Sequence, residues 1–178
     1  MAGLASPSPE SLERFVDAQR EGYAIALEEV RRGHKRSHWM WYVFPQLVGL
    51  GSSEMARRYG IQSLSEAESY IKHPVLGFRL REIVAAVLAI KGRSAHDIFG
   101  SPDDLKLCSS CTLFAIVSPS GSDFERVIER YFGSTRDLAT LRLLVLKQSE
   151  SAEPSDPADS RYSSAVWIIA WSRVTCPP

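Results

Sequence analysis

Hydrophobic residues recur at three- and four-residue intervals along most of this chain, which is the spacing that one face of an α-helix requires. In the first such segment the apolar positions are Leu12, Phe15, Val16, Tyr23, Ala26, Leu27 and Val30. A broad apolar stripe follows over residues 76–88, and a leucine-rich segment covers residues 141–146. The alternation that marks β-strands is nearly absent. The pattern therefore predicts an all-α fold.

Short turns of glycine, proline and serine divide the helical pattern into about seven predicted helices. Helix starts are indicated at Pro9, Ser53, Ser63, Pro74, Ser94, Ser101, Ser122 and Asp137. Helix ends are indicated at Gly33, Gly60, His73, Gly92, Gly100 and Gly133. For residues 38–44 the sequence leaves the secondary structure open between a helix and a strand. Ser37 suits the start of a short buried helix, while the aromatic and β-branched residues after it also suit a central strand.

The length of 178 residues fits a single domain with flanking segments. We predict an N-terminal tail over residues 1–9, a helical domain over residues 10–148 and a C-terminal extension over residues 149–178. Residues 149–164 are rich in Ser, Asp, Glu and Pro, a composition that does not bury enough apolar surface to order itself. The apolar run Ala165–Trp171 is too short to cross a membrane. Four roles stay open for this run: docking on the domain, docking on a partner, contact with a lipid interface, and no role at all.

Overall charge and cysteine content limit the classes of partner and compartment. The formal net charge is zero and the isoelectric point is about 6.9, so no global field attracts nucleic acid or an anionic membrane. A nucleic-acid partner would depend on a local patch and is not favoured. Three cysteines give no disulfide framework, and the first nine residues lack the pattern of a signal peptide. We therefore predict a cytoplasmic protein without a membrane span.

The segment Lys35–Pro45 places basic and hydrogen-bonding residues directly before a run of aromatic residues. Cations and an imidazole beside aromatic faces suit an anionic, planar or nucleotide-like ligand. The predicted ligand-binding residues in this segment are Lys35, Arg36, Ser37, Trp39 and Trp41. His38 is the predicted general base, because imidazole titrates near neutral pH. The structural alternatives are a buried histidine that joins two elements and aromatic rings that only fill the core.

A second group of candidate residues follows the predicted turn at residues 101–102. Asp103 and Asp104 are the predicted catalytic carboxylates, and Lys106 is a predicted ligand for an anion. Acidic residues are also favoured in the first turn of any helix, and adjacent side chains on a helix diverge by about 100°, so we expect only one carboxylate to face a pocket. The predicted ligand-binding set is completed by His73 and Ser109. Their structural alternatives are a helix-stop residue and a helix-interior hydroxyl.

Metal and cofactor motifs are not found in the sequence. Cys108 and Cys111 share a predicted helix face, but no second cysteine pair accompanies them, and the four histidines lack metal-ligand spacing. No phosphate-binding loop, dinucleotide fingerprint or nucleophile elbow occurs. We therefore expect neither a metal nor a cofactor.

Several short motifs, taken in order, resemble one known protein family. They are Phe15–Gln19, Lys35–Trp41, Phe44–Gln46, His73–Gly77, Arg79–Leu80, Phe99–Leu107, Ser109–Ser110 and Tyr131–Gly133. Between Leu12 and Leu146 the chain resembles domain of unknown function 1810, a family of small, mainly microbial proteins of which some are mislabelled calpastatin. The resemblance implies a mainly helical fold and no particular reaction. This chain departs from the family pattern at Cys111, where members more often carry Met, and after Gln148.

We expect the Arg36–Trp41 segment and the Ser101–Lys106 helix start to converge on one polar, aromatic pocket. The hypothesis that follows is an enzyme with hydrolase-type acid–base chemistry and no metal, acting on a small anionic substrate such as a nucleotide or nucleotide-sugar. A non-catalytic module that binds a nucleotide or single-stranded RNA is the second hypothesis. A structural or partner-binding domain is the third. The sequence does not predict the oligomeric state.

Overall fold

The described part of the protein, residues 9–151 of the chain in a computed structural model, is built from α-helices. In chain order they are α1 (Pro9–Arg31), α2 (Met40–Val43), α3 (Glu54–Arg58), α4 (Leu64–Lys72), α5 (Leu76–Ala89), α6 (Ala95–Phe99), α7 (Asp103–Ile116), α8 (Asp123–Phe132) and α9 (Leu138–Ser151). Pairing of extended backbone in this range is limited to one isolated bridge between Leu47 and Ile61. The all-α prediction is confirmed.

The predicted count of about seven helices is too low for the nine that residues 9–151 form. Part of the difference is α2, whose segment the sequence left open between a helix and a strand. Helices of four or five residues, such as α2, have too few positions to show a helical period in the sequence.

The aromatic segment before Pro45 is a short helix and not a strand. α2 begins after Trp39 and carries Met40 and Val43 three residues apart on its inward face, where both are fully buried. Phe44 ends the helix and is also fully buried. The segment thus delivers its large apolar side chains into the core within a single helical turn.

Serine side chains cap several of the short helices. Ser53 and Ser63 each accept a hydrogen bond from the backbone N–H three residues later, at 3.1 Å and 3.2 Å. Ser94 and Asp97 form a complete capping box at the start of α6. Ser122 is an exception, because its hydroxyl is buried without a hydrogen-bond partner among the described residues. The caps at the other three serines fix where those helices begin.

The hydrophobic core is lined by aromatic rings from several helices. The largest fully buried aromatic side chains are Trp39, Tyr70, Phe15, Phe44 and Phe114. Phe15 and Tyr70 pack edge to face, with ring centroids 5.1 Å apart. Phe44 contacts Phe99 of α6 in the same manner at 6.1 Å. These contacts join α1 to α4, and the end of α2 to α6, around one core.

A shielded ion pair joins α1 to α4. Arg14 lies 2.6 Å from one carboxylate oxygen of Glu66, whose side chain is only 3% exposed. The other oxygen of Glu66 accepts the backbone N–H of Gln62. Glu66 lies three residues after Ser63, the spacing of a capping box, but its carboxylate accepts from Gln62 and so does not complete one. It holds α1 in place instead.

Residues 1–8 and 152–178 lie outside the described range. Most of the predicted N-terminal tail and most of the predicted C-terminal extension, with its apolar run Ala165–Trp171, fall there. Residues 9–147 belong to one compact unit. Among the helices that the structure describes, none is both long and apolar enough to cross a membrane.

Gly77 lies in the first turn of α5, where this helix meets the end of α4. A Cβ at this position would overlap the carbonyl oxygen of Ile71 and would lie 2.7 Å from its carbonyl carbon. Since both atoms belong to the backbone, they are unable to move aside as a flexible side chain does. We expect Gly77→Ala to lower the free energy of unfolding by about 3 kcal/mol, measured by urea denaturation.

Gly22→Ala in α1 is the matched control for this substitution. Its Cβ would meet only the hydroxyl end of Tyr42, at 2.6 Å, and that ring can shift. Alanine is also favoured over glycine inside a helix by about 1 kcal/mol. We therefore expect a change below about 1 kcal/mol in either direction. Equal losses for the two variants would contradict the backbone clash at Gly77.

Candidate functional site

The loop between α1 and α2 is held in place by the carboxylate of Glu29, which lies in the last turn of α1. Its Oε2 accepts hydrogen bonds from the backbone N–H of Arg36 at 2.8 Å, from that of Ser37 at 3.0 Å and from Nε1 of Trp39 at 2.8 Å. Its Oε1 accepts the hydroxyl of Ser37. We call residues 35–39 the clamped loop, because one carboxylate fixes its backbone and its tryptophan.

These hydrogen bonds favour the ionised form of Glu29. Burial alone would raise the pKa of this carboxyl group, but the donors of Arg36, Ser37 and Trp39 outweigh burial and lower the pKa from 4.5 to about 2. Glu29 is therefore a carboxylate at neutral pH. With the backbone N–H groups turned inward to this charge, the side chains of Arg36 and His38 are left facing solvent.

Asp103, the first residue of α7, lies between two lysine ammonium groups. Its Oδ2 is 2.7 Å from Nζ of Lys35, and its Oδ1 is 2.7 Å from Nζ of Lys106. The side chains of Lys35, Asp103 and Lys106 are only 8%, 15% and 19% exposed. The clamped loop and the start of α7 therefore meet here. We call these three residues the Lys–Asp–Lys cluster, which carries two positive charges for one negative charge.

The pKa of Asp103 lies below its ordinary value. Burial raises this pKa, but the hydrogen bonds and the charges of Lys106 and Lys35 lower it by more. Each carboxylate oxygen already has an ammonium partner. The geometry therefore favours Asp103 as the residue that positions two lysines, and it leaves the carboxylate poorly placed to accept a proton.

The two tryptophans of this region differ in exposure. Trp39 is 1% exposed and belongs to the core, with Nζ of Lys35 5.2 Å from its ring centroid. Trp41 is half-buried, and Nζ of Lys106 lies 4.4 Å from its ring centroid. A ligand can reach Trp41, whereas Trp39 is sealed in the interior.

The half-buried ring of Trp41 also lines a small cavity of about 10 Å³, which has room for about one water molecule. The other residues that line it are Gln46, Leu47, Gly51, Ala56 and Tyr59.

Arg36 and His38 are the exposed members of the clamped loop. Their side chains make no hydrogen bond or ion pair with the described residues, although the backbone of Arg36 is held by Glu29. His38 is therefore not the buried histidine of the structural alternative. Both side chains are open to a ligand from solvent.

His73 and Ser109 are occupied by their own surroundings. Nδ1 of His73, at the end of α4, accepts the backbone N–H groups of Val75 and Leu76, both at 3.2 Å. The hydroxyl of Ser109 is buried and donates to the carbonyl oxygen of Leu105, one turn earlier in α7, at 3.1 Å. These local contacts account for both side chains and agree with their structural alternatives.

Asp104 has a different partner from Asp103, as adjacent positions on a helix do. Its Oδ2 lies 3.1 Å from Nδ1 of His96 in α6. The side chain of Asp104 is 16% exposed and that of His96 is 67% exposed, so a shielded carboxylate holds an open imidazole. Sequence reasoning missed His96, because the turn through Gly100 and Pro102 interrupts the helical spacing and no motif connects the two residues.

Metal-ligating residues do not gather in the part of the chain that the structure describes. Within it, no three side chains of His, Cys, Asp or Glu lie close enough to hold a metal ion. Cys108 and Cys111 are both buried and free of disulfides. Burial raises the pKa of the Cys108 thiol to about 11 and also raises that of Cys111, so neither is a thiolate at neutral pH. This pair offers no reactive nucleophile.

These features define an all-α domain in which a carboxylate-clamped aromatic loop meets a basic cluster at the start of a buried helix. Residues 9–144 match the family described as "Protein of unknown function (DUF1810)", and the chain belongs to this family. The chain is also similar to the crystal structure of the conserved hypothetical protein Rv1873 from Mycobacterium tuberculosis. The two are 52% identical with a TM-score of 0.75, over 78% of this chain and 99% of that chain. Among curated proteins there is no match.

Glu29→Gln removes the charge that the donors of the clamped loop stabilise. At neutral pH we expect it to lower the free energy of unfolding by about 2 kcal/mol, because hydrogen bonds to a charged acceptor are replaced by weaker neutral ones. Glu28→Gln is the control. Glu28 is an exposed neighbour paired with Arg32, and we expect its substitution to cost less than about 0.5 kcal/mol.

The stability difference between wild type and Glu29→Gln depends on pH with a defined sign. Because folding lowers the pKa of Glu29, its stabilisation is complete above the ordinary value of 4.5 and is lost as the pH falls through about 2. Urea denaturation at several values between pH 7 and pH 2 measures the difference. A difference that stays constant across this range would rule out the ionised clamp as its source.

Asp103→Asn leaves two ammonium groups together without the carboxylate between them. We expect the free energy of unfolding to fall by roughly 3 kcal/mol, since removing one partner of a shielded ion pair leaves uncompensated charge. Adding Lys35→Met should recover part of this loss, whereas adding Lys72→Met on the exposed surface should recover none. Urea denaturation of the single and double variants measures the coupling. Strictly additive losses for Asp103→Asn and Lys35→Met would contradict the cluster.

Proposed function

We propose that this protein binds a small anionic ligand, of the nucleotide or nucleotide-sugar class, at the surface formed by Lys35, Arg36, His38, Trp41 and Lys106. The observation that carries the proposal is the charge of the Lys–Asp–Lys cluster. Two ammonium groups share one carboxylate in a place that is largely shielded from water. A second negative group, such as a phosphate, would neutralise the remaining positive charge.

The surroundings of the cluster support a phosphate-bearing ligand. Electrostatic attraction is stronger in a shielded place than in bulk water. The excess positive charge there therefore attracts an anion more strongly than an exposed lysine does. Arg36 extends from the clamped loop into solvent and can add bidentate hydrogen bonds. Trp41 is half-buried and so offers part of its ring to a base or sugar, a role that the fully buried Trp39 does not share.

The proposed activity is hydrolase-type acid–base chemistry on this anionic ligand, without a metal. In this scheme Lys106 and Arg36 hold the phosphate or carboxylate of the substrate, and Asp103 positions the lysines. His38, the base that the sequence predicted, is open to solvent beside Arg36 and can contact such a ligand. Binding without turnover would instead identify a non-catalytic module for nucleotides or single-stranded RNA, with a steep dependence on salt in the case of RNA.

Lys106→Met tests the proposed ligand site. This variant leaves Lys35 and Asp103 as a neutral pair, so we expect it to fold. The measurement is isothermal titration with pyrophosphate, ADP and UDP-glucose at low ionic strength, with adenosine as the uncharged comparison. We expect the anions to bind and Lys106→Met to weaken binding about tenfold or more, since a charge-assisted hydrogen bond is lost.

Two further variants act as controls for the binding experiment. Lys72→Met removes an exposed lysine that is paired with Glu68 one turn away in α4, and we expect unchanged affinity. Lys106→Arg keeps the positive charge and should retain most of the affinity. The proposal fails if no anion binds, or if Lys106→Met and Lys72→Met bind equally well.

A further inference from the structure

We infer that His96 and Asp104 form the general-base dyad of a hydrolytic site next to the Lys–Asp–Lys cluster, with water as the nucleophile. The anionic character of its substrate rests on the proposed function above, whereas the dyad itself rests on its own geometry. Nδ1 of His96 lies 3.1 Å from Oδ2 of Asp104. The imidazole is 67% exposed and its carboxylate partner is 16% exposed. A shielded acid that orients an open imidazole is the arrangement of hydrolytic bases.

Asp104 is fixed well enough to orient the ring. It lies in the first turn of α7, and its Oδ1 accepts the backbone N–H of Leu105 at 2.8 Å. Its Oδ2 is then directed at Nδ1 of His96. A carboxylate accepts and does not donate, so in the neutral imidazole of His96 the hydrogen is on Nδ1 and Nε2 keeps its lone pair. Nε2 is the nitrogen that can take a proton from water.

The dyad and the Lys–Asp–Lys cluster are carried by the same elements. Asp103 and Asp104 are consecutive residues, about 3.8 Å apart at their Cα atoms. α6, which carries His96, is joined to the clamped loop by a hydrogen bond from the backbone N–H of Lys35 to the carbonyl oxygen of Ile98, at 2.7 Å. The dyad and the Lys–Asp–Lys cluster are therefore neighbours at the start of α7.

The charged groups near His96 come from two helices. Asp104 faces it from α7. Asp97 lies on α6 itself, where its carboxylate is engaged by the backbone N–H and the hydroxyl of Ser94 and is also influenced by Arg93. Of the two carboxylates, Asp104 is the one in hydrogen-bond contact with the ring. This makes Asp104 the positioning residue of the dyad.

The hydrogen-bond partners favour His96 over His38, the base that the sequence predicted, and favour Asp104 over Asp103 among the two predicted carboxylates. Both oxygens of Asp103 are engaged by ammonium groups. The imidazole of His38 makes no hydrogen bond with the described residues and so has no carboxylate to orient it. His96 has such a partner and is also open to solvent.

The reaction is the hydrolysis of an ester. His96 Nε2 removes a proton from water as the water oxygen bonds to the phosphorus or carbonyl carbon of the substrate. The bond from that atom to the leaving oxygen breaks, and the leaving group departs with the electron pair. The proton on Nε2 then returns to solvent. No oxidant, reductant or further reactant takes part.

Two generic esters separate the dyad from the anion site. p-Nitrophenyl acetate is neutral and tests only the base, whereas p-nitrophenyl phosphate tests the base and the lysines together. On the acetate we expect His96→Gln to lower kcat/KM about 100-fold, while the exposed control His34→Gln changes it less than about twofold. Lys106→Met should raise KM for the phosphate, whereas the exposed control Lys72→Met should leave the rates on both esters unchanged.

Asp104→Asn tests the positioning residue, with folding checked by thermal unfolding. We expect it to lower kcat on both esters and to change the tautomer of His96 from Nδ1–H to Nε2–H, which nitrogen-15 shifts report independently of any reaction. Equal rates for wild type and His96→Gln on both esters, or an Nε2–H tautomer in wild type, would overturn the inference. If His96→Gln loses activity but Lys106→Met leaves KM for the phosphate unchanged, the dyad is retained and the anion site is rejected.

Discussion

The carboxylate of Glu29 is the group on which the candidate site depends, because it accepts four hydrogen bonds from the clamped loop. Because these donors share one charged acceptor, a fixed carboxylate at this position favours a single loop conformation. In that conformation the backbone of Lys35 reaches Ile98 and its ammonium group reaches Asp103. One side chain in α1 thereby sets the relation of the loop to α6 and α7.

The Lys–Asp–Lys cluster holds two ammonium groups against one carboxylate. Moving an ammonium group out of water costs several kcal/mol, and one lysine would have been enough to balance Asp103. Proteins retain local conflicts of this kind mainly where binding or chemistry uses them. The excess charge, more than the aromatic rings beside it, is the reason to look for an anionic ligand here. The neutral overall charge of the chain makes the local excess easier to recognise.

Features that depend on residues close together in the chain could be predicted from the sequence, and the capping box at the start of α6 is an example. Partners across the fold could not. Trp39 and Trp41 are the same residue type two positions apart, and only packing decides that the first is sealed in the core and the second is half-buried. Glu28 and Glu29 are likewise adjacent and chemically identical, yet one is a surface ion-pair partner and the other holds the loop. His96 gave no signal because its partner follows a turn that breaks the helical spacing.

The hydrogen bonds of Glu29 join residues that are close in the sequence, and this has a consequence for the order in which the fold assembles. They join residues only seven to ten positions apart. Closing so small a loop costs little entropy, whereas bringing Lys35 to Asp103 requires a much longer stretch of chain to be organised. Contacts of low sequence separation form early in folding, so the bend after α1 can be established before α7 docks against it. On this view the charged cluster closes late, onto a loop whose shape is already decided.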